Sequence, residues 1–330
     1  MYHVAVVGAT GAVGQEILRL LDQRAFPIRT LRCFASLRSL GTFVPFQDKQ
    51  IPIETLDCLS APLDLIFLCA GSKISKDYAD SLRRFEAIVI DLSSAFRQDP
   101  SIPLVIPEVN PHALDNHSGW ICNPNCATIL MLTVLFPLHA QAKLKRIVIS
   151  TYQAASGAGF KAMEELKEEM KAYLDGASYT RSVIPHPYAF NLFLHNSPLQ
   201  PNDYVEEELK LLYETRKILE DSSIRVAATC VRVPILRCHS ESINAEFHTP
   251  LSKEEAYRLL QKAPGVQILE HREKNRFPMP IDALGKDPVF CGRIRQDLSQ
   301  PNTLDLWVVG DQLLKGAALN AIQIAERLTG

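Results

Sequence analysis

Apolar residues in the first third of the chain form short continuous runs separated by polar or helical stretches. Runs of this length, bounded by glycine or polar residues, are typical of strands buried on both faces. They cover Val4–Val7, Thr30–Ala35, Leu63–Cys69, Ala87–Asp91 and Pro103–Val109. The segment from Gln15 to Leu21 instead repeats its apolar residues at helical spacing. Alternating strands and helices predict an α/β domain with a parallel, doubly wound sheet.

The pattern changes after residue 127, where we place a domain boundary. Longer strands and amphipathic helices follow, and we expect this second domain to be of the α+β class. The predicted strands are Arg146–Tyr152, Ile224–Ile235, Ser242–His248 and Leu304–Val309. The predicted helices are Phe160–Leu174, Val205–Leu219, a helix capped by Ser252 and a last helix opened by Gly310. The segment Thr180–Asn196, rich in proline and aromatic residues, predicts a long ordered loop.

Length and composition limit the class of protein. A chain of 330 residues exceeds the usual size of one core, so two domains are expected. The net charge of -2 gives no reason to expect nucleic acid or a membrane surface as partner. The longest apolar run, Ala127–Phe136, is shorter than the roughly 20 residues of a membrane span. The eight cysteines form no CxxC pair and no metal-ligand cluster, so we expect no metal and a cytoplasmic location.

The first predicted strand ends in a glycine-rich turn that opens a helix. Glycines stand at positions 8, 11 and 14 of this turn. They permit a tight turn and let the backbone approach a pyrophosphate, while the helix N-terminus offers N–H donors. Glycine-rich turns are common, but this one lies between a strand and a helix at the start of the chain. It therefore favours dinucleotide binding.

Two further loops follow predicted strands of the same domain. After the second strand, Ser36, Arg38 and Ser39 stand where an NAD site would normally carry an acidic residue. A guanidinium and two hydroxyls suit a 2′-phosphate, so this loop favours NADP, although Arg38 could be an ordinary surface arginine. After the third strand, Ala70 and Gly71 begin a loop at the edge where cofactors bind.

Cys126 follows the polar turn Asn123-Pro124-Asn125 and precedes a long apolar run. The sulfur would therefore lie in the first turn of a buried helix, where N–H groups and the helix dipole stabilise a thiolate. This placement makes Cys126 a candidate nucleophile. The alternative is a small buried hydrophobic residue, which most free cysteines are.

Arg232 and His239 lie seven positions apart around a proline bend, so both can face one pocket. A single histidine is more often structural than catalytic, and this alternative stays open. The helix near residue 205 carries Glu206-Glu207-Glu208 and Lys210, and a charged helical face is usually only solvated.

Five motifs taken in order resemble aspartate-semialdehyde dehydrogenases, and the resemblance covers the whole chain. They are Gly8-Ala-Thr-Gly-Ala-Val-Gly14, Ala35-Ser-Leu-Arg-Ser39, Asn123-Pro-Asn-Cys-Ala-Thr128, Gln153-Ala-Ala-Ser-Gly-Ala-Gly159 and Arg232-Val-Pro-Ile-Leu-Arg-Cys-His-Ser-Glu241. The closing Gly310-Asp-Gln segment is similar to the C-terminal helix of that family. The resemblance implies a Rossmann-type NADP-binding domain (1–127), a catalytic and dimerisation domain (128–309) and a C-terminal helix (310–330) returning to the first domain.

The resemblance also assigns roles to individual residues. It implies that Cys126 is the nucleophile, that His239 is the acid/base and that Gln153 orients the substrate. Arg232 would bind the α-carboxylate of the substrate and Glu207 its α-amino group. Phosphate would be held by Arg97, Asn125 and Lys210. Cofactor contacts would come from Gly8, Thr10, Gly11, Ala12, Val13, Ser36, Arg38, Ser39, Ala70, Gly71, Ser156, Gly157, Pro187 and Gln312.

The implied reaction is the reversible, NADPH-dependent reductive dephosphorylation of L-4-aspartyl phosphate to L-aspartate 4-semialdehyde. It serves the biosynthesis of lysine, diaminopimelate, methionine and threonine. The resemblance further implies homodimers, or tetramers, formed through the second domain. Two other hypotheses are a reductase for another acyl phosphate, of the N-acetylglutamyl phosphate type, and an NADP-binding protein without catalysis.

Overall fold

The computed structural model describes residues 1–329, and their strands and helices are numbered here in chain order. The strands β1 to β14 are Tyr2–Val7, Ile28–Phe34, Phe43–Phe46, Lys49–Glu54, Leu65–Leu68, Ile88–Asp91, Trp120–Cys122, Leu144–Gln153, Phe193–Leu194, Arg225–Arg232, His239–Phe247, Val266–Ile268, Val289–Gln296 and Thr303–Gly310. The helices α1 to α8 are Ala12–Gln23, Ser72–Arg83, Cys126–Ala142, Phe160–Leu174, Glu206–Ile218, Lys253–Leu260, Pro280–Ala283 and Leu319–Thr329.

The chain divides into two compact units. One contains Met1–Asn125 together with the chain from Ala317 onward, and the other contains Cys126–Gly316. The sequence predicts these boundaries at residues 127 and 309. In the described part of the chain, no helix combines the length and apolarity needed to span a membrane.

The first unit is built on a seven-stranded sheet of order β3-β4-β2-β1-β5-β6-β7. All its strands run parallel except β3, which forms an antiparallel edge with β4. The order reverses between β1 and β5, as in a doubly wound sheet that binds a ligand at this switch point. The predicted Rossmann-type fold is confirmed. The C-terminal helix α8 packs against α1 and β6, so the predicted return to the first domain is also confirmed.

One predicted strand of the first unit is wrong. Residues 103–109 contribute only an isolated bridge between Leu104 and Cys122, and Trp120–Cys122 forms the last strand instead. Two prolines, Pro103 and Pro107, remove backbone N–H donors from the segment, which disfavours a continuous ladder. The edge hairpin of β3 and β4 is absent from the sequence prediction because its residues are mostly polar or exposed.

The second unit is built on a mixed seven-stranded sheet of order β12-β13-β14-β11-β8-β10-β9. Helix α3 contacts α5 and α6, and all three contact strands of the sheet, so they form one layer. Helix α3 is apolar around its whole circumference, and most of its residues, including Ala127 to Leu135, are buried. Ser252 caps α6 as predicted, because its hydroxyl accepts the Glu255 N–H at 3.1 Å.

Two element boundaries that bear on the site differ from the prediction. The strand predicted to begin at Ser242 begins at His239, so this histidine lies in the sheet. The last helix, predicted to open at Gly310, follows a π-turn over Leu314–Ala318 and begins at Leu319. Asp311 explains why the helix begins later than predicted, because its carboxylate accepts hydrogen bonds from Arg237 and from the N–H of Leu313.

Candidate active site

Sheet register brings three predicted site residues of the second unit into one row. Arg232 on β10 pairs with Gln153 on β8. The pairing of Ser240 with Tyr152 places His239 of β11 opposite Gln153, and His239 pairs with Gly310 on β14. Directly opposed residues point to the same face of a sheet. We name the set Arg232, Gln153, His239 and Gly310 the upper row.

Helix α3 delivers Cys126 to this row. A Cβ placed on Gly310 would lie 3.1 Å from Cδ1 of Leu130, so the helix crosses the face on which the upper row lies. Cys126 precedes Leu130 by four residues, which is about 6 Å of helix. Cys126 is the first residue of the helix and is partly exposed, whereas the following residues are buried.

A second connection joins Cys126 to the histidine through Gln312. Gly316 packs against both Cys126 and Gln312, since an added Cβ would lie 3.0 Å from the Cβ of Cys126 and 3.2 Å from that of Gln312. The Gln312 amide accepts the Cys238 N–H at 2.9 Å and donates to the Ser156 hydroxyl. Gln312 and Ser156, both predicted cofactor contacts, therefore also brace the turns on either side of the row.

His239 is buried and neutral. Its Nδ1 accepts the N–H of Ala154 at 3.1 Å, which places the ring proton on Nε2. The Nε2 atom has no hydrogen-bond partner among the described residues. Burial, and then the nearby charge of Arg232, lower the pKa of His239 to about 3. The imidazole is therefore ready to donate a hydrogen bond to a reacting oxygen.

Arg232 places a charged fork beside the histidine. Its Nη1 donates to the Ala154 carbonyl at 3.1 Å, and its Nη2 lies 2.8 Å from Nε2 of His195. Its Nε has no partner in residues 1–329 although the side chain is buried. A buried guanidinium with an unpaired N–H is suited to an anionic ligand, and a carboxylate matches its geometry.

Gln153 connects the row to helix α5. Its amide nitrogen lies 3.3 Å from Oε1 of Glu207, and the other carboxylate oxygen accepts from Lys210 at 3.1 Å. Lys210 also pairs with Glu206 at 3.2 Å. The residues predicted for the amino group and for phosphate thus bond to each other in this structure.

The other predicted phosphate residues lie in the first unit. Arg97 is buried, and its guanidinium donates to the carbonyls of Asn123 at 2.9 Å and Leu92 at 3.0 Å. These carbonyls hold the arginine at the end of β6, beside the loop that carries Asn125. Asn125 is also buried.

The glycine turn of the first unit borders a cavity of about 420 Å³. Gly8 has a φ of +88°, and a Cβ there would lie 2.8 Å from the Cys69 carbonyl oxygen. Gly14 packs so closely on Gly8 that any side chain would overlap it. Helix α1 begins without a side-chain cap, which leaves its first N–H groups available to a phosphate.

Most predicted cofactor residues of the first unit lie at this cavity or beside it. Gly8, Thr10, Gly11, Ser36 and Ala70 line it. Ala12 and Val13 begin α1, Gly71 precedes α2, and Arg38 is exposed in the turn that ends at Ser39. The sequence prediction also did not include several lining residues from segments without a recognisable motif, namely Thr55, Leu56, Asp57, Ile74 and Tyr78.

Three further observations complete the comparison with the sequence. Pro187, predicted to contact cofactor, is exposed in the loop before β9. His195 contacts Arg232 but was not predicted, because a single histidine in an irregular segment carries no motif. No group of three or more His, Cys, Asp or Glu side chains in residues 1–329 could hold a metal ion.

The chain matches two family models. Residues 3–117 match the semialdehyde dehydrogenase NAD-binding domain, and residues 135–315 match the semialdehyde dehydrogenase dimerisation domain. The first range contains the glycine turn and residues that line its cavity, and the second contains the upper row.

Similar proteins extend over the full chain. The aspartate-semialdehyde dehydrogenase of Synechocystis is 53% identical over 99% of this chain and 97% of its own length. That of Prochlorococcus marinus is 52% identical over 98% and 95%. The crystal structure of the Vibrio cholerae enzyme II complexed with ASA is 37% identical, with a TM-score of 0.97 over 100% of this chain and 98% of that one. The chain belongs to the aspartate-semialdehyde dehydrogenase family.

Proposed function

We propose that Cys126 and the upper row carry out the aspartate-semialdehyde dehydrogenase reaction of this chain. The observation that carries the proposal is the row itself, in which Arg232, Gln153 and His239 share one face at the N-terminus of α3. A cysteine at a helix start, a buried guanidinium and an imidazole donor suit acyl transfer to sulfur from an acyl phosphate that carries a carboxylate.

Substrate recognition would use Arg232 and Glu207. The guanidinium would bind the α-carboxylate of the substrate, since its Nε lacks a partner and its fork can donate two parallel hydrogen bonds. The Glu207 carboxylate would bind the α-amino group, replacing the contact that Lys210 makes at 3.1 Å. Gln153, which touches Glu207, would orient the substrate between the two.

In the biosynthetic direction the Cys126 thiolate would attack the acyl carbon of L-4-aspartyl phosphate. The C–S bond forms as the C–O bond to phosphate breaks, so a thioester and inorganic phosphate result. Backbone N–H groups at the start of α3 would stabilise the developing oxyanion. After reduction of the thioester, neutral His239 would donate a hydrogen bond from Nε2 to the thiohemiacetal oxygen. The C–S bond then breaks, which releases the aldehyde and regenerates the Cys126 thiolate. Arg97, Asn125 and Lys210 would hold the phosphate.

Enzymes of this family use NADP, which when bound supplies the hydride that reduces the thioester. The residues of the first unit fit the cofactor, because Gly8 and Gly14 admit no side chain and the start of α1 is uncapped. Arg38 and Ser39 would bind the 2′-phosphate, and Thr10 to Val13 the pyrophosphate. Ser156, Gly157, Pro187 and Gln312 would complete the cofactor contacts from the second unit.

The matched dimerisation domain supports assembly of the second unit with a second copy. We propose a homodimer, with a tetramer as the alternative, in the cytoplasm, where its eight free cysteines would stay reduced. Sedimentation equilibrium distinguishes the two assemblies, and a monomer at micromolar concentration would contradict both.

The decisive assay follows NADPH formation from L-aspartate 4-semialdehyde, with and without phosphate and with NAD in place of NADP. We expect turnover that requires phosphate, and a mass increase on Cys126 when the acyl-enzyme is trapped. Turnover of an N-acylated glutamate semialdehyde instead would support the other acyl-phosphate reductase. NADPH binding without any acyl-enzyme would support the silent binding protein.

A further inference from the structure

His195 contacts the predicted carboxylate-binding residue but takes part in none of the steps above. It follows β9, and its N–H donates to the Cys230 carbonyl at 2.8 Å, which seats it beside β10. The side chain is buried, and its Nε2 lies 2.8 Å from Nη2 of Arg232. A guanidinium can only donate, so Nε2 must accept, and the ring proton lies on Nδ1.

The same ring reaches Ser197 on its other side. Nδ1 lies 3.0 Å from the Ser197 hydroxyl oxygen, to which it donates. The Ser197 N–H, at 3.1 Å from Nδ1, could donate only to the opposite tautomer, which Arg232 excludes. The Ser197 oxygen also accepts the N–H of Glu207 at 3.1 Å. One continuous hydrogen-bonded chain thus runs from Arg232 through His195 and Ser197 to Glu207.

The charges around His195 favour the neutral ring that this chain requires. Burial, opposed by Glu207 and Glu206 and reinforced by the charges of Arg232 and Lys210, lowers the pKa of His195 to about 4. A protonated ring would place a second cation 2.8 Å from the guanidinium and would lose the lone pair that accepts from it. The imidazole therefore acts as an acceptor toward Arg232.

We propose that His195 is a positioning residue for amino-acid recognition, which holds the Arg232 guanidinium and, through Ser197, ties it to the end of α5 that carries Glu207. The inference rests on the proposed roles of Arg232 and Glu207. Its physical basis is spacing, because the α-carboxylate and α-amino group of an amino acid are attached to one carbon. Two residues that bind them must keep a constant separation, and the His195–Ser197 link supplies it.

The test compares His195→Leu with His195→Gln. Leucine removes the acceptor, so we expect KM for L-aspartate 4-semialdehyde to rise about tenfold to hundredfold, the range for one hydrogen bond to a charged group. The expected change in kcat is less than about threefold, because the bond acts on binding. Glutamine restores an acceptor oxygen, so KM should return to within about fivefold of the wild-type value.

Two substrate analogues, each lacking one of the two recognised groups, distinguish a role of His195 in positioning Arg232 from a general loss of protein structure. 3-Aminopropanal lacks the α-carboxylate and should be turned over equally by wild type and His195→Leu. Succinic semialdehyde keeps the carboxylate and should show the full loss. An equal loss on both aldehydes, or an unchanged KM for aspartate semialdehyde, would overturn the positioning role. Absence of turnover in the wild-type protein would instead contradict the proposed function.

His139 provides a matched control. It is also buried, burial lowers its pKa, and its Nδ1 accepts a backbone N–H from Leu144 at 3.1 Å. It lies at the other end of α3 from Cys126, about 20 Å along the helix. His139→Gln should shift the melting temperature without a change in KM. A KM shift equal to that of His195→Leu would show that replacing any buried histidine suffices.

Discussion

A second row of residues lies on the same four strands and the same face of the second sheet, two positions along each strand from the upper row. We name it the lower row. The lower row consists of Cys230, Thr151, Glu241 and Val308. All four are fully buried, and the polar members of the upper row are nearly so. Burial alone therefore does not distinguish the row that we propose to bind substrate from the row beside it.

The rows differ in the kind of polar atom left without a partner. In the upper row these are N–H donors, Nε of Arg232 and Nε2 of His239. In the lower row they are the two carboxyl oxygens of Glu241. Burial raises the pKa of Glu241 well above its ordinary value, so it is protonated and neutral. Burial also neutralises His239, whereas the guanidinium keeps its charge.

The same desolvation thus yields a row with one positive charge and a row with none. An anionic substrate is attracted to the first and has no partner in the second. We therefore propose that charge, rather than exposure, distinguishes a substrate-binding upper row from a lower row that only supports the sheet. It can be tested by matched changes in the two rows.

The largest loss of activity is expected when Cys126 is replaced. Cys126→Ser should lower turnover of aspartate semialdehyde at least about a thousandfold, because a serine hydroxyl ionises far less readily than a thiol. NADPH binding should persist. Stopped assays of NADPH formation and fluorescence titration of NADPH measure the two quantities.

Cys230 is the control from the lower row. Burial raises the pKa of its thiol, although a hydrogen bond from Thr151 opposes the shift. Cys230→Ala should keep wild-type turnover and lose about 1 kcal/mol of unfolding free energy. Equal losses of activity in both variants would remove the distinction between the rows.

The next largest loss of activity is expected when the Arg232 guanidinium is replaced. Arg232→Lys keeps the charge but loses the paired donors, so kcat/KM for aspartate semialdehyde should fall about a hundredfold. The fall should be absent with 3-aminopropanal, which has no carboxylate. Arg225, exposed at the other end of β10, is the control, and Arg225→Lys should leave both substrates unaffected.

The third effect is on stability and depends on pH. Glu241 is protonated in the folded state but ionises above its ordinary pKa of 4.5 when unfolded, so folding takes up a proton. Stability therefore falls as pH rises above that value. Glu241→Gln abolishes this proton uptake, and its advantage should grow by up to about 1.4 kcal/mol per pH unit. Urea unfolding between pH 5 and 8 measures it.

Glu246, on the opposite face of the same strand, should behave in the reverse sense. Its hydrogen bond with Lys145 lowers the pKa of its carboxyl. That contribution is present above the unfolded pKa and is lost as pH falls through the folded pKa. The Glu246→Gln deficit should therefore shrink in acid. A pH-independent difference for Glu241→Gln would mean that this carboxyl is not protonated.

The sequence predicted each site residue of the upper row but not that these residues are aligned side by side in one sheet. Gln153, Arg232 and His239 each stand in a motif, whereas their alignment depends on the register of three strands far apart in sequence. The strand start at His239 was missed because the segment from Leu236 to Glu241 is polar and reads as a loop. For the same reason nothing in the sequence marked Glu241 as a buried acid.

The first unit was easier to predict because its signals are local. A glycine turn between a strand and a helix is complete within a dozen residues, and its conformational demands are specific to glycine. Strand β7 was missed because three residues are too few to show a period. The link from Arg232 through His195 to Ser197 is tertiary and leaves no periodic or motif signal.

The smallest loss of activity is expected at Gly157, whose backbone borders the upper row. A Cβ on Gly157 would lie 2.8 Å from Nη1 of Arg232 and 3.2 Å from Nε2 of His239. Arg232 is long enough to move aside, so Gly157→Ala should fold normally and lower kcat/KM about tenfold, equivalent to about 1.4 kcal/mol. KM for the aldehyde should rise more than KM for NADP. Thr151→Val, in the lower row, removes a hydroxyl that accepts from the Gln153 amide at only 3.4 Å, a long and weak hydrogen bond, and should stay within about twofold of wild-type activity. Equal losses for the two variants would mean that the face responds as one packed unit, without a functional boundary between its rows.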